Sequence, residues 1–190
     1  MVHRTRAMRR NLPIGATTLA ALLLAGLGCP EDPPEDPTPV RLAAADAWTR
    51  IRDPAVDVFA AMRPPEATCD ESGLFVDPFT QTFEISTDLC DYVTVRQPSL
   101  VALDPGDVVS IHAFHYELSA PRPAEGYMAL AIDGEVVWEV TVAIPAAPGP
   151  LSGQVTIDRA LPAGADLQFH VHNHGANTWE LVSVMPTPAK

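Results

Sequence analysis

Between Cys69 and Met185 no run of residues keeps the period of a helix. The chain is instead divided into short runs rich in β-branched and aromatic residues, each closed by a proline- or glycine-bearing turn. Those runs are TFEIST (82–87), DYVTVRQPS (91–99), DVVSIHAFHYEL (107–118), two halves of GYMALAIDGEVVWEVTVAIP (126–145), SGQVTIDRAL (152–161), LQFHVHNH (167–174) and TWELVSVM (178–185). Asp133-Gly134 between two apolar runs is a hairpin signal, because a tight turn needs φ > 0 at its centre. Short strands closed by turns cannot bury their apolar faces alone. They must stack as two sheets, so the pattern predicts an all-β fold, an antiparallel jelly-roll-like β-sandwich of about eight strands over residues 67–186.

Three segments precede that domain. Residues 1–28 carry Arg4, Arg6, Arg9 and Arg10 ahead of a short apolar run that ends in small residues, the form of a secretory signal peptide. The run from Ile14 to Gly28 is shorter than the ~20 residues a membrane-spanning helix needs. LAGLGC, ending at Cys29, resembles the lipobox of bacterial lipoproteins, with Gly26 where Leu is usual. The resemblance implies lipidation of Cys29 and a membrane partner through that lipid, in the cell envelope and most naturally at the outer membrane. The alternative is cleavage nearby and a soluble periplasmic or secreted protein. Residues 29–40 form a proline-rich acidic tether with nothing to bury. Residues 41–66 are alanine-rich and predict a short helical segment of one or two helices, with Asp53-Pro54 placed as N-cap and first residue of the second.

Charge and cysteines narrow the partners and the compartment. All 24 acids follow Cys29, and four of the 12 basic residues precede it, so the chain beyond the signal has a net charge of −16. That balance excludes nucleic acid and anionic lipid headgroups as partners, and suits cations, neutral sugars or basic proteins. With Cys29 lipidated, Cys69 and Cys90 remain as an even pair in an oxidising compartment. A disulfide between them would contribute about 3 kcal/mol in the chain-entropy model. Two free thiols are the alternative.

The histidines are the most unusual feature. Five of the six follow the signal, and all five sit in two strands: His112 and His115, then His170, His172 and His174. Side chains alternate across a strand, so Leu167, Phe169 and Val171 predict a core face. Gln168, His170, His172 and His174 then form a polar, outward or groove-facing row. By the same rule His112 shares a face with Ser110, Phe114 and Tyr116, whereas His115 points the other way. Residues i and i+2 are about 6.6 Å apart along a strand, so a straight strand gives one metal ion only two of its histidines. A zinc or copper site would therefore use His170 and His172 with His112 from another strand.

The strand pattern and the HNHGANTWEL ending also resemble the β-sandwich domains of carbohydrate-binding modules and galactose-binding-like proteins, and secreted lipoproteins with a proline-rich tether and one β domain. A sugar site needs flat rings and hydrogen-bonding side chains; Tyr116, His172, Asn177, Trp179 and Arg96 are of those types. The candidate ligand face is His112, Tyr116, His170, His172 and Asn177. No G-x-S-x-G, H-E-x-x-H or phosphate-binding glycine loop occurs, so the chain is read as non-enzymatic and without a resident cofactor. The expected function is non-catalytic binding of a ligand or partner in the envelope, with a glycan as the ligand. Zinc or copper binding, and a purely structural or protein-interaction role, are the alternatives.

Overall fold

A computed structural model describes residues 39–173 and 175–189. Residues 1–28, expected as a signal peptide, Cys29, nearly all of the expected tether, and His174 lie outside the described residues. Ten strands form two antiparallel five-stranded sheets, a β-sandwich as the strand pattern predicts. Sheet one has the order β1 (Thr49–Arg50), β4 (Tyr92–Pro98), β9 (Asp166–Asn173), β6 (Ala124–Ile132), β7 (Glu135–Ile144). Sheet two has the order β2 (Leu74–Val76), β3 (Phe83–Ser86), β10 (Thr178–Thr187), β5 (Val108–His115), β8 (Gly149–Thr156). Only the β2–β3 and β6–β7 links join neighbours within a sheet; every other connection changes sheet, as in a jelly roll. β1 and β2 are the two strands beyond the expected eight; with two and three residues they are too short to leave a periodic signature.

Alternation places the core between the sheets. Val93 and Val95, Met128, Leu130 and Ile132, and Leu167, Phe169 and Val171 face inward from sheet one. Phe83 and Ile85, Ile111 and Ala113, and Trp179 and Leu181 meet them from sheet two. On β10 the parity then changes: Leu181 pairs with Ala113 but Ser183 pairs with His112, leaving one extra residue as a bulge. The bulge lets Val184 also point inward. Trp179 fits because β6 has no side chain at Gly126, where a Cβ would lie 2.4 Å from the indole. Trp138 of β7 likewise lies over Gly153 of β8 at the seam between the sheets. Both tryptophans are thus packing groups, and neither is offered to a ligand.

The Cys69–Cys90 disulfide is formed. The helical expectation for residues 41–66 is met only by three-residue 3-10 turns at Ala45–Ala47 and Ala60–Met62, with β1 between them. The reason is the destination of the segment. Ile51 donates its N–H to Thr94, and Thr49 and Arg50 pair with Arg96 and Val95, so this chain lies along the edge of sheet one. Asp53 does not start a helix; its carboxylate accepts from Ala55 N–H and closes a turn.

Candidate functional site

The histidine row faces away from the core, as alternation requires, but it is not open to solvent. Residues 56–67 cross over the outer face of sheet one and seal it. Gln168 ties this strap down at two points: its Oε1 accepts from Val58 N–H (3.0 Å) and its Nε2 donates to the Val56 carbonyl (2.8 Å). Phe59 stacks on the His170 ring at 4.6 Å, and Ala129 and Ala131 of β6 supply the low floor on which the strap settles. The Tyr92 hydroxyl donates to Asp57 (2.9 Å), and the Arg63 guanidinium lies over the Tyr92 ring.

His170 is consequently 0% exposed. One ring nitrogen meets the Thr94 hydroxyl (2.9 Å) and the other meets His172 Nδ1 (2.8 Å). Burial, and then the neighbouring His172, push its pKa well below the usual imidazole value, so it is neutral at physiological pH. His172 stacks on Tyr127 at 5.1 Å and stands at the edge of the sealed layer. Phe59, Tyr92, Tyr127, His170 and His172 therefore make an aromatic second core outside sheet one. The expectation that the row forms an open ligand face is corrected for Gln168 and His170: a single strap, unrecognisable as such in sequence, covers them, while His172 stays half-buried at its edge and His174 lies outside the described residues.

The proposed ligand set does not assemble. His112 and Tyr116 belong to sheet two, where His112 pairs with Ser152 and Ser183 on its exposed side. His170 and His172 lie in sheet one. The set of His112 with His170 and His172 is thus divided between two sheets, and among the described residues no three His, Cys, Asp or Glu side chains converge to hold a metal ion. Asn177 is buried in the β9–β10 turn, where its Oδ1 accepts from Ser119 N–H (2.6 Å) and its carbonyl accepts from Thr87. It braces a turn. Arg96 forms an ion pair with Asp166 at 2.8 Å. A cleft of about 380 Å³ beside His172 is edged by Glu66, Asp88 and Asp91, without a Phe, Tyr or Trp ring in its lining.

The outer face of sheet two is different. One register row runs across four strands: Phe75 of β2 opposite Glu84 of β3, Glu84 opposite Glu180 of β10, and Glu180 opposite Phe114 of β5. Strands are ~4.8 Å apart, so the row spans ~14 Å. Phe75 is 40% exposed, and Tyr116, set edge-on against Phe114 at 5.4 Å, is 41% exposed. Phe79 is 93% exposed at the β2–β3 turn, which Asp77 shapes by accepting from Phe79 and Thr80 N–H.

Glu84 and Glu180 are 5% and 7% exposed as whole residues, and among the described residues neither carboxylate has a hydrogen-bond donor or a cation; their oxygens are not among the buried atoms left without a partner, so the carboxylate tips still reach the surface of the sheet. Burial, then Glu180 and then Asp77, push the Glu84 pKa above its ordinary value. Burial and the same acids, Glu84 first, raise the Tyr116 hydroxyl, which places that hydroxyl in the field of the pair. Two like charges directly opposite one another weaken a sheet.

Of the expected site residues, only Tyr116 and His112 lie on this face. Phe75, Glu84, Phe114 and Glu180 escaped the sequence reading, though a signal exists. Thr82-Phe83-Glu84-Ile85 and Thr178-Trp179-Glu180-Leu181 repeat one pattern, Thr–aromatic–Glu–aliphatic, in two strands. A Glu between two inward apolar residues must lie on the outer face, and the two copies pair so that Glu meets Glu.

No family model and no curated protein matches the sequence. Solved structures similar to the chain include the N-terminal cellulose-binding domain of Cellulomonas fimi beta-1,4-glucanase C, at 15% identity and a TM-score of 0.42, over 67% of this chain and 91% of that one. A carbohydrate-binding module studied for mannan recognition is similar at 7% identity and a TM-score of 0.43, over 78% of this chain and 94% of that one. An arabinose-bound α-L-arabinofuranosidase is similar at 13% identity and a TM-score of 0.43, over 77% of this chain; the match spans only 24% of that enzyme.

Proposed function

We propose that this protein is a non-catalytic carbohydrate-binding module of the cell envelope, exported by residues 1–28 and anchored through lipid on Cys29. The glycan lies on the outer face of sheet two. The observation that carries the reading is the row Phe75–Glu84–Glu180–Phe114, with Tyr116 beside it: a ring at each end encloses two acceptors that the protein itself leaves unused. Sugar rings present C–H groups on their faces and hydroxyls at their edges. A ring-and-acceptor surface answers both, with apolar contact from Phe75 and Tyr116 and acceptance of hydroxyl protons by the carboxylates. A flat sheet face several strands wide also suits a chain of sugars better than a single one.

The test is retention of the protein on a panel of immobilised polysaccharides and a glycan array. Phe75→Ala and Tyr116→Ala are each expected to cut retention about tenfold, the loss of a ring contact worth about 1–1.5 kcal/mol. Retention unchanged in both variants, or no glycan retained at all, refutes the reading. A Cys29→Ser variant examined in the same cells should leave the membrane fraction; if it stays, the anchor is not this cysteine.

A further inference from the structure

We infer that the glycan bears free amines, as an oligomer of glucosamine does, and that Glu84 and Glu180 are the pair that receives an ammonium group. This inference rests on the carbohydrate reading and adds the chemical class of the sugar. Neutral hydroxyls do not call for two carboxylates side by side; one acceptor with an ordinary neighbour suffices. Two like charges held opposite one another without a donor between them favour a cation that joins them. Burial, then Glu180 and Asp77, push the Glu84 carboxyl above its ordinary value.

No basic residue of the described chain comes to the pair. Among the described residues the four ion pairs involve Arg52, Arg96 and Arg159, and their acids are Glu71, Asp166, Asp133 and Glu135. The surroundings also favour an ammonium. Phe75, Phe114 and Tyr116 frame the pair in register or contact, and aromatic faces attract a cation held against them. Asp77 adds a further negative charge nearby. Among the described residues no third His, Cys, Asp or Glu converges on the pair, so the protein offers a metal ion two carboxylates and no more, whereas the rings beside them suit an ammonium. The width of the face separates a glycan from a lone small amine: rings lie at both ends of a ~14 Å row, beyond the reach of one ammonium group.

The experiment is calorimetric titration of the exported protein with oligomers of glucosamine, of N-acetylglucosamine and of glucose, at about pH 6, where a sugar amine made less basic by its neighbouring oxygens is still largely cationic and an ordinary carboxylate is ionised. The ionic strength is ~0.15 M, which screens long-range attraction to an acidic protein. The glucosamine oligomer is expected to bind about tenfold or more tightly than either neutral oligomer. Glu84→Gln and Glu180→Gln should each erase that preference, whereas Glu125→Gln, which removes one exposed charge on β6, should keep it. Thermal melting of each variant confirms that it is folded. Equal binding of all three oligomers, or a preference that survives in Glu84→Gln and Glu180→Gln, overturns the amine assignment while the carbohydrate reading stands. Failure of all three oligomers to bind removes the inference, and a blank glycan array beside it removes the carbohydrate reading too.

Discussion

If Glu84 and Glu180 face each other for a ligand, the free protein should be more stable without one of them. Glu84→Gln keeps the shape of the side chain and removes its charge. Side chains directly opposite in an antiparallel pair have Cβ atoms ~5 Å apart, so the carboxylates lie some 5.5–8 Å from one another. At an effective dielectric of ~20 their repulsion is about 2–3 kcal/mol. Screening, and the amide's own cost of burial, reduce the expected gain to about 1–2 kcal/mol. That corresponds to a rise in Tm of about 3–6 °C for a domain of this size.

The gain must depend on pH. The folded-state pKa of Glu84 is raised above the ordinary carboxyl value of 4.5, so folding favours its protonated form. The wild type is unburdened below 4.5, then loses stability as pH rises from there through the folded pKa. Glu84→Gln cannot titrate at this position. The two proteins should melt together near pH 4 and separate as pH increases, with the variant higher, in scanning calorimetry at matched salt. The acids that face Glu84, namely Glu180 and Asp77, remain in both proteins. A variant that melts lower at neutral pH, or a gain of equal size at every pH, refutes the argument. In that case Glu84 has a partner that stabilises its charge.

The buried histidine titrates in the opposite sense: its folded pKa is lowered, so its contribution is present above the unfolded value of about 6.5 and is lost as pH falls below it. His170→Gln should weaken the acid dependence of urea unfolding in that window, and cost about 2–4 kcal/mol at neutral pH through lost stacking on Phe59 and an altered Thr94–His172 chain; an unchanged acid slope refutes neutral burial. Replacing Cys69 and Cys90 together by Ala should lower stability by about 3 kcal/mol in denaturant, and proteolysis should then cut first within residues 56–67, which lead directly to Cys69; cutting elsewhere in the domain first would show that the bond does not secure the strap.

Alternation is a local property, and what it governs was legible in the chain. Leu167, Phe169 and Val171 had to share one face and the histidines the other, whatever lay on either side. Short runs cut by Pro and Gly had to stack as sheets, and the expectation of export gave the two cysteines after Cys29 a reason to pair. Which face stays open is not local. The His170 face is closed because Gln168 happens to hold residues 56–58 against it, and because Ala129 and Ala131 leave room for Phe59. His112 and His170, both in histidine-bearing strands, end in different sheets because the chain changes sheet between β5, β6, β8 and β9. The meeting of Glu84 with Glu180 needed the pairing of β3 with β10, strands nearly a hundred residues apart, in one register and no other. The direction of each side chain relative to its strand follows from backbone geometry and could be read along the chain. Which of those side chains have neighbours could not, because cover and register are set by segments far away in the chain.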